Sequence, residues 1–320
     1  MSAKLDRRSF FSRSAAASAG AALAFNFEEK ALLAHPAGHS ETMTTAAVAA
    51  AEPFPTGKIG NLTLTRLMCG GNLTSGFAHS RDLIYVSALL QKYFTDEKIF
   101  ETWRLCEAHG LNAMVLRVDD QVIRLVNTYR KQHGGKFHWL AQCKLTEADI
   151  TVDIAKAVDN GAAAAYVHGG VADSLVEKNR IDVLEKALET IHKAGLPAGI
   201  GAHAVNVPIA CEEAALPVDF YMKTINSKSY WSAGPMPRFD SVWAETPEIT
   251  IEFMSRVTRP WIGYKVLGAG AIRPREGFQY AFENGCDFIC VGMFDFQVAK
   301  DVRIARQILG AGLKRPRPWA

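Results

Sequence analysis

The sequence of 320 residues contains no Cys-x-x-Cys pair, and its six cysteines are scattered singly. That argues against a zinc ribbon and against a disulfide scaffold, so the thiols read as small core residues, with Cys143 and Cys290 lying inside strand-like runs. Charge of one sign is scarce too. Thirty-six basic and 33 acidic residues leave a formal net charge of +3, too small a bias for a nucleic-acid groove, and no nucleic-acid partner is expected. No apolar run approaches the roughly 20 strongly apolar residues of a confident membrane span. With 48% hydrophobic and 22% charged residues, disordered and collagen-like chains are excluded. What remains is a globular chain whose partners must be read from its sites.

The N-terminus carries Asp6-Arg7-Arg8-Ser9-Phe10-Phe11 and then an Ala-rich, weakly apolar stretch from Ser14 to Ala24. A basic pair followed by such a stretch resembles a twin-arginine export signal. Residues 1–55 therefore read as signal and flexible tether, with the export machinery as a partner and the periplasm or the exterior as destination. Ala, Ser and Thr fill the stretch up to Glu52, so the cleavage site is open, as is retention of an uncleaved anchor. Residues 56–320 remain as a single domain, close to the roughly 250 residues typical of one (β/α)8 barrel.

Lys58-Ile59-Gly60-Asn61-Leu62-Thr63-Leu64-Thr65 alternates around a Gly-Asn pair and predicts a β-hairpin. After it, apolar runs recur at Leu67–Gly70, Ala113–Val118, Trp139–Lys144, Ala163–His168, Ala198–His203, Phe220–Thr224, Trp261–Leu267 and Phe288–Gly292. Between them lie helical patterns, such as Ile99, Trp103 and Cys106 after the Thr95-Asp96 cap, or Ile181, Leu184, Leu188 and Ile191 on one face. Strands apolar on both faces that alternate with amphipathic helices imply a parallel sheet covered by helices. Eight such units predict an α/β (β/α)8 TIM barrel with an N-terminal hairpin. An open doubly wound sheet fits less well, since no GxGxxG turn follows the first strand.

Barrel chemistry sits at the carboxyl ends of the strands. The polar residues there are Asn72, Asp119, Lys144, His168, His203 with Asn206, and Lys223 with Asn226; Lys265 is placed within the seventh strand. Charged residues that repeatedly end apolar runs are hard to explain by packing, because unpaired buried charge is costly. Asp119, Lys144 and His168 are taken as catalytic, with Asp119 orienting Lys144, and the others as substrate-binding. Two long loops, from Asn72 to Phe94 and from Asn226 to Glu245, are candidate lids, and in the second Tyr230 and Trp231 suit a sugar-like ring. Gly268, Gly270 and Gly292 offer backbone N–H groups to an anionic cofactor.

The hairpin, Leu64-Thr65-Arg66-Leu67-Met68-Cys69-Gly70-Gly71, the Glu107-Ala108-His109-Gly110-Leu111-Asn112 approach, Lys144 and His168 together resemble the aldo-keto reductase superfamily. The resemblance implies carbonyl reduction by NADPH, with a tyrosine as proton donor, Lys144 lowering its pKa, Asp119 holding the lysine and His168 orienting the substrate. The family's tyrosine position falls within Gln121-Val122-Ile123-Arg124, and its phosphate-binding serine and arginine are not recognisable in Gly292-Met293-Phe294-Asp295-Phe296. The cofactor is therefore left unknown, with NADP the one the resemblance implies.

Three alternatives stand beside an exported reductase-like enzyme acting on a carbonyl-bearing or carbohydrate-like small molecule. A cofactor-independent lyase, aldolase or isomerase would use a desolvated strand-end lysine among Lys144, Lys223 and Lys265 as base or Schiff-base former. A metal-dependent hydrolase would use Asp119, His168 and His203, but no HxH or HExxH spacing fixes two ligands on one element, and no metal is assigned. The last is a non-catalytic ligand-binding barrel.

Overall fold

The computed structural model describes residues 53–77, 83–146, 149–229 and 246–320. The expected export signal and nearly all of its tether, together with Tyr230 and Trp231, lie outside the described residues. The hairpin forms as the Gly-Asn pair predicts: β1 (Thr56–Ile59) runs antiparallel to β2 (Leu62–Thr65), and Gly60 supplies the positive φ of the two-residue turn.

The eight apolar runs form eight parallel strands. They are β3 (Leu67–Gly70), β4 (Ala113–Arg117), β5 (His138–Cys143), β6 (Ala164–Val167), β7 (Ala198–Ala202), β8 (Phe220–Thr224), β9 (Trp261–Tyr264) and β10 (Phe288–Val291). Each pairs with the next in sequence, and β10 returns to pair with β3, so the sheet is a closed barrel. Closure splits each strand into an inward and an outward set with a period of two residues. Met68, Val115, Leu140, Tyr166, Phe220, Met222, Ile262 and Phe288 pack inside, while Cys69, Leu116, Ala141, Val167, Tyr221 and Trp261 pack against the helices. Ile59 and Leu64 join the inner set beside the first residues of the strands, so the hairpin plugs the floor.

Among the described residues ten α-helices surround the sheet: α1 (Tyr85–Tyr93), α2 (Asp96–Ala108), α3 (Asp120–His133), α4 (Val152–Asp159), α5 (Gly169–Glu177), α6 (Ile181–Lys193), α7 (Asn206–Glu213), α8 (Pro247–Met254), α9 (Pro274–Glu283) and α10 (Asp295–Gly310). Thr95 caps α2 by accepting from the Lys98 N–H, and α6 buries Val183, Leu184, Ala187, Leu188 and Ile191 on one stripe. At the floor, Asp287 is wholly buried between Arg315 and Arg317, at 3.0 and 3.3 Å, while Arg66 donates to its carbonyl. The Trp319 ring lies between Arg66 and Arg315, whose guanidinium carbons are 3.9 and 3.4 Å from its centroid.

Candidate active site

The inward positions, followed to the carboxyl ends of the strands, stop being apolar. Arg117 follows Val115, Gln142 and Lys144 follow Leu140, Tyr166 and His168 follow Ala164, and Tyr264 follows Ile262. They line a cavity of about 530 Å³ at the mouth of the barrel, together with His203, Lys265 and the apolar side chains of Phe77, Leu90, Leu267 and Phe294. Among its described lining residues there is no aspartate or glutamate.

His168 is the residue just after β6 and caps α5. Its Nδ1 accepts from the Gly170 N–H at 3.1 Å, so the ring proton resides on Nε2. Burial pushes its pKa down to about 4, with His203, Lys144 and Arg117 adding to the effect, so the ring is neutral at neutral pH. A neutral imidazole with a fixed Nε2–H is a hydrogen-bond donor that does not lose its proton to solvent.

His203, just after β7, has the opposite arrangement. Asp173, on the second turn of α5, accepts from His203 Nδ1 at 2.7 Å and from the backbone N–H groups of His203 and Ala204, each at 3.1 Å. Burial lowers the His203 pKa against the opposing pull of Asp173. The neutral ring therefore carries its proton on Nδ1, which makes Nε2 the basic nitrogen. The two imidazole centroids are 6.5 Å apart, and the Tyr264 ring lies 5.6 Å from that of His203. Gly169 opens α5 between them: a Cβ there would stand 2.9 Å from the Tyr264 hydroxyl and 3.1 Å from His203 Cε1. Asp173, Tyr264, Tyr166, Arg117 and Gln142 went unnoticed in the sequence. For four of them the signal was there, since they share the inward parity of the core residues before them; nothing local marks Asp173.

Of the expected catalytic trio, Lys144 and His168 stand together on the cavity wall, Lys144 exposed and close enough to depress the histidine. Asp119 is employed elsewhere. Its carboxylate pairs with Arg117 Nε at 3.0 Å and caps α3 by accepting from the Val122 N–H, and no described contact joins it to Lys144. Asn72 is an exposed lining residue at the rim, and Gly292 also lines the cavity.

Other expected residues are placed differently. Lys223 shares the outward parity of Tyr221 and is wholly buried outside the barrel interior, its Nζ donating to the Thr224 carbonyl at 2.9 Å; burial pulls its pKa down to about 7. Asn226 is buried and structural, donating to the Lys265 carbonyl and accepting from the Lys228 N–H. Asn206 is an exposed first residue of α7 and does not line the cavity. Lys265 lies beyond the strand, not within it: β9 ends at Tyr264, and Lys265 has φ of 59°. Gly268 and Gly270 bound a 3-10 turn of which only Ala269 reaches the cavity.

The coenzyme implied by the resemblance finds a poor fit among the described residues. The hydroxyls of Tyr93, Tyr129, Tyr166, Tyr221 and Tyr264 bond to Asp295, Glu107, Gln142, Glu212 and the Ala202 carbonyl, and none is bonded to Lys144. After β10, the first turn of α10 holds the Asp295 carboxylate, bonded to Tyr93 and Lys98, where a phosphate would need a positive field. Cys290 lines the cavity but burial raises its thiol pKa, so it is no nucleophile at neutral pH. Among the described residues no group of three His, Cys, Asp or Glu side chains gathers to hold a metal ion.

No family model matches the sequence, and no curated protein matches it. Solved structures match the fold. A candidate aldo-keto reductase of Pseudomonas aeruginosa aligns with a TM-score of 0.57 at 16% identity, over 82% of this chain and 99% of its own. The glycerol dehydrogenase of Gluconobacter oxydans aligns at 0.52 and 11% identity, over 83% and 98%, and a holo aldo-keto reductase of Bacillus halodurans at 0.54 and 11%, over 83% and 97%. The chain is an aldo-keto-reductase-like (β/α)8 protein in its fold.

Proposed function

We propose that the chain is an aldo-keto-reductase-like enzyme that binds and polarises the carbonyl of a small polar molecule in the mouth cavity. The observation that carries this reading is His168, a neutral imidazole whose Nε2–H is the donor beside the Lys144 ammonium. A carbonyl oxygen accepting from Nε2–H lies where a positive charge stabilises negative charge developing on it. Tyr166 and Tyr264, whose burial keeps them protonated, offer further polar edges to hydroxyl groups, and Phe77 and Phe294 offer apolar faces. A carbohydrate-like ligand needs both. Carbonyl activation by His168 and Lys144 needs no hydride donor, in keeping with the poor fit of the coenzyme. Export by the twin-arginine route belongs to the same proposal and rests on residues 6–24; fractionation of cells expressing the full chain tests it, with Arg7-Arg8→Lys-Lys expected to hold the protein in the cytoplasm.

Titration of the full-length protein with dihydroxyacetone and D-fructose, followed by the imidazole NMR signals, tests the carbonyl reading. Saturable shifts of His168 are expected, and His168→Ala is expected to weaken the binding by roughly tenfold, as loss of about one hydrogen bond implies. Failure of both probes to shift His168 would sink the reading. A parallel thermal melt with NADPH is expected to show no stabilisation; a rise that grows with NADPH concentration would instead restore hydride transfer as the reaction.

A further inference from the structure

We infer that His203, oriented by Asp173, is a catalytic base that removes a proton from the carbon next to the bound carbonyl, so that the cavity catalyses enolisation. The inference rests on the carbonyl reading above and adds a reaction to it. Two strand-end imidazoles face one cavity in opposite tautomers, each fixed by a different neighbour: the Gly170 N–H on Nδ1 of His168, and the Asp173 carboxylate on Nδ1 of His203. One ring thus carries its proton on Nε2 and the other on Nδ1. Their ring centroids are 6.5 Å apart on the wall of one cavity, so both rings can border one small bound molecule.

The Asp173 carboxylate is suited to this task more than to simple packing. It is 9% exposed, and its oxygens accept from two backbone N–H groups as well as from the ring, so it holds both the position and the tautomer of His203. When the ring gains a proton, the carboxylate stabilises the imidazolium without itself taking the proton.

The step balances with protein groups alone. The C–H bond breaks and its proton goes to His203 Nε2; the freed pair forms the carbon–carbon double bond, and the carbonyl π pair settles on oxygen. There His168 Nε2–H and the Lys144 ammonium stabilise the enolate. Return of a proton to the same carbon regenerates the substrate with its hydrogen exchanged for solvent hydrogen. No oxidant or coenzyme enters the step.

The test is deuterium wash-in at the carbon adjacent to the carbonyl of dihydroxyacetone and D-fructose, incubated with the full-length protein in D2O and followed by proton NMR. Exchange well above the uncatalysed rate is expected. His203→Ala is expected to slow it at least about a hundredfold, with partial restoration by added imidazole; its fold is expected to persist because Asp173 keeps both backbone partners. Asp173 acts as a positioning residue, so Asp173→Asn is expected to slow exchange with little change in probe affinity and to redistribute the His203 ring proton, read from 15N shifts. Exchange unchanged in His203→Ala, or a wild-type His203 protonated on Nε2, overturns the inference. A probe that shifts His168 yet shows no exchange overturns it while leaving the carbonyl reading intact; if neither probe shifts His168, both fall together.

Discussion

The two ends of the barrel treat charge in opposite ways. At the floor, Arg66, Arg315 and Arg317 converge on Asp287 and on backbone carbonyls just before β9 and β10, and the Trp319 ring fills the gap between the Arg66 and Arg315 guanidinium groups. At the mouth, Arg117, Lys144 and Lys265 line a cavity to which no described carboxylate contributes. The acids nearby are engaged behind the wall: Asp173 under His203, and Asp119 against Arg117 and the end of α3. Floor charges bind segments of chain to one another, while mouth charges are gathered around a space. Buried ions that serve stability need partners within the protein, whereas ions that serve a ligand keep part of their field for it.

The largest effect is expected at the floor. Asp287→Asn keeps the size of the side chain but leaves the buried guanidinium groups of Arg315 and Arg317 without their carboxylate, and should cost roughly 3–5 kcal/mol. The midpoint of urea unfolding at unchanged slope measures it. A loss well under 1 kcal/mol would mean that the backbone carbonyls suffice to hold the arginines, and the contrast between the two ends would blur. At the mouth the balance reverses. Gly169→Ala forces a Cβ against the Tyr264 hydroxyl and the His203 ring, which should cost roughly 1–3 kcal/mol of stability but nearly all of the proton exchange. Retained exchange in a folded Gly169→Ala protein would show that the His203 geometry is less critical than the mouth requires.

How much of this was legible follows from the range of the signals. The barrel was readable because eight apolar runs and their helices are local patterns, and the hairpin because Gly60-Asn61 demands one turn type. Lys144 and His168 were readable as polar ends of apolar runs. Parity was readable too and corrects one residue: Lys223 follows Tyr221 at a spacing of two, so it faces the helices while Met222 faces inward. Asp119 has a competing local use, because an aspartate just before a helix caps it, and the capping contact wins. Asp173 could not be read, since its role exists only where α5 folds back beside the end of β7, 30 residues further along the chain. Asn226 likewise bonds 39 residues away.

The smallest expected effect separates the two lysines that look alike in sequence. Lys144 stands at the mouth, while Lys223 lies buried behind the sheet with its amine on Thr224. Burial lowers the Lys223 pKa from 10.5 to about 7, so the unfolded chain holds that proton more tightly than the folded one between those values. Stability therefore rises with pH across that window, and the penalty is complete below about pH 7. Lys223→Met removes it together with two hydrogen bonds, and should stabilise the protein by roughly 1–2 kcal/mol at pH 7, less than the roughly 1.4 kcal/mol per pKa unit would give alone. The advantage should shrink as pH rises toward 10.5, in urea melts taken at several pH values, with proton exchange unchanged throughout. If Lys223→Met abolished exchange in a folded protein, the amine would have to act at the mouth after all, and the boundary between wall and site would move inward by one strand face.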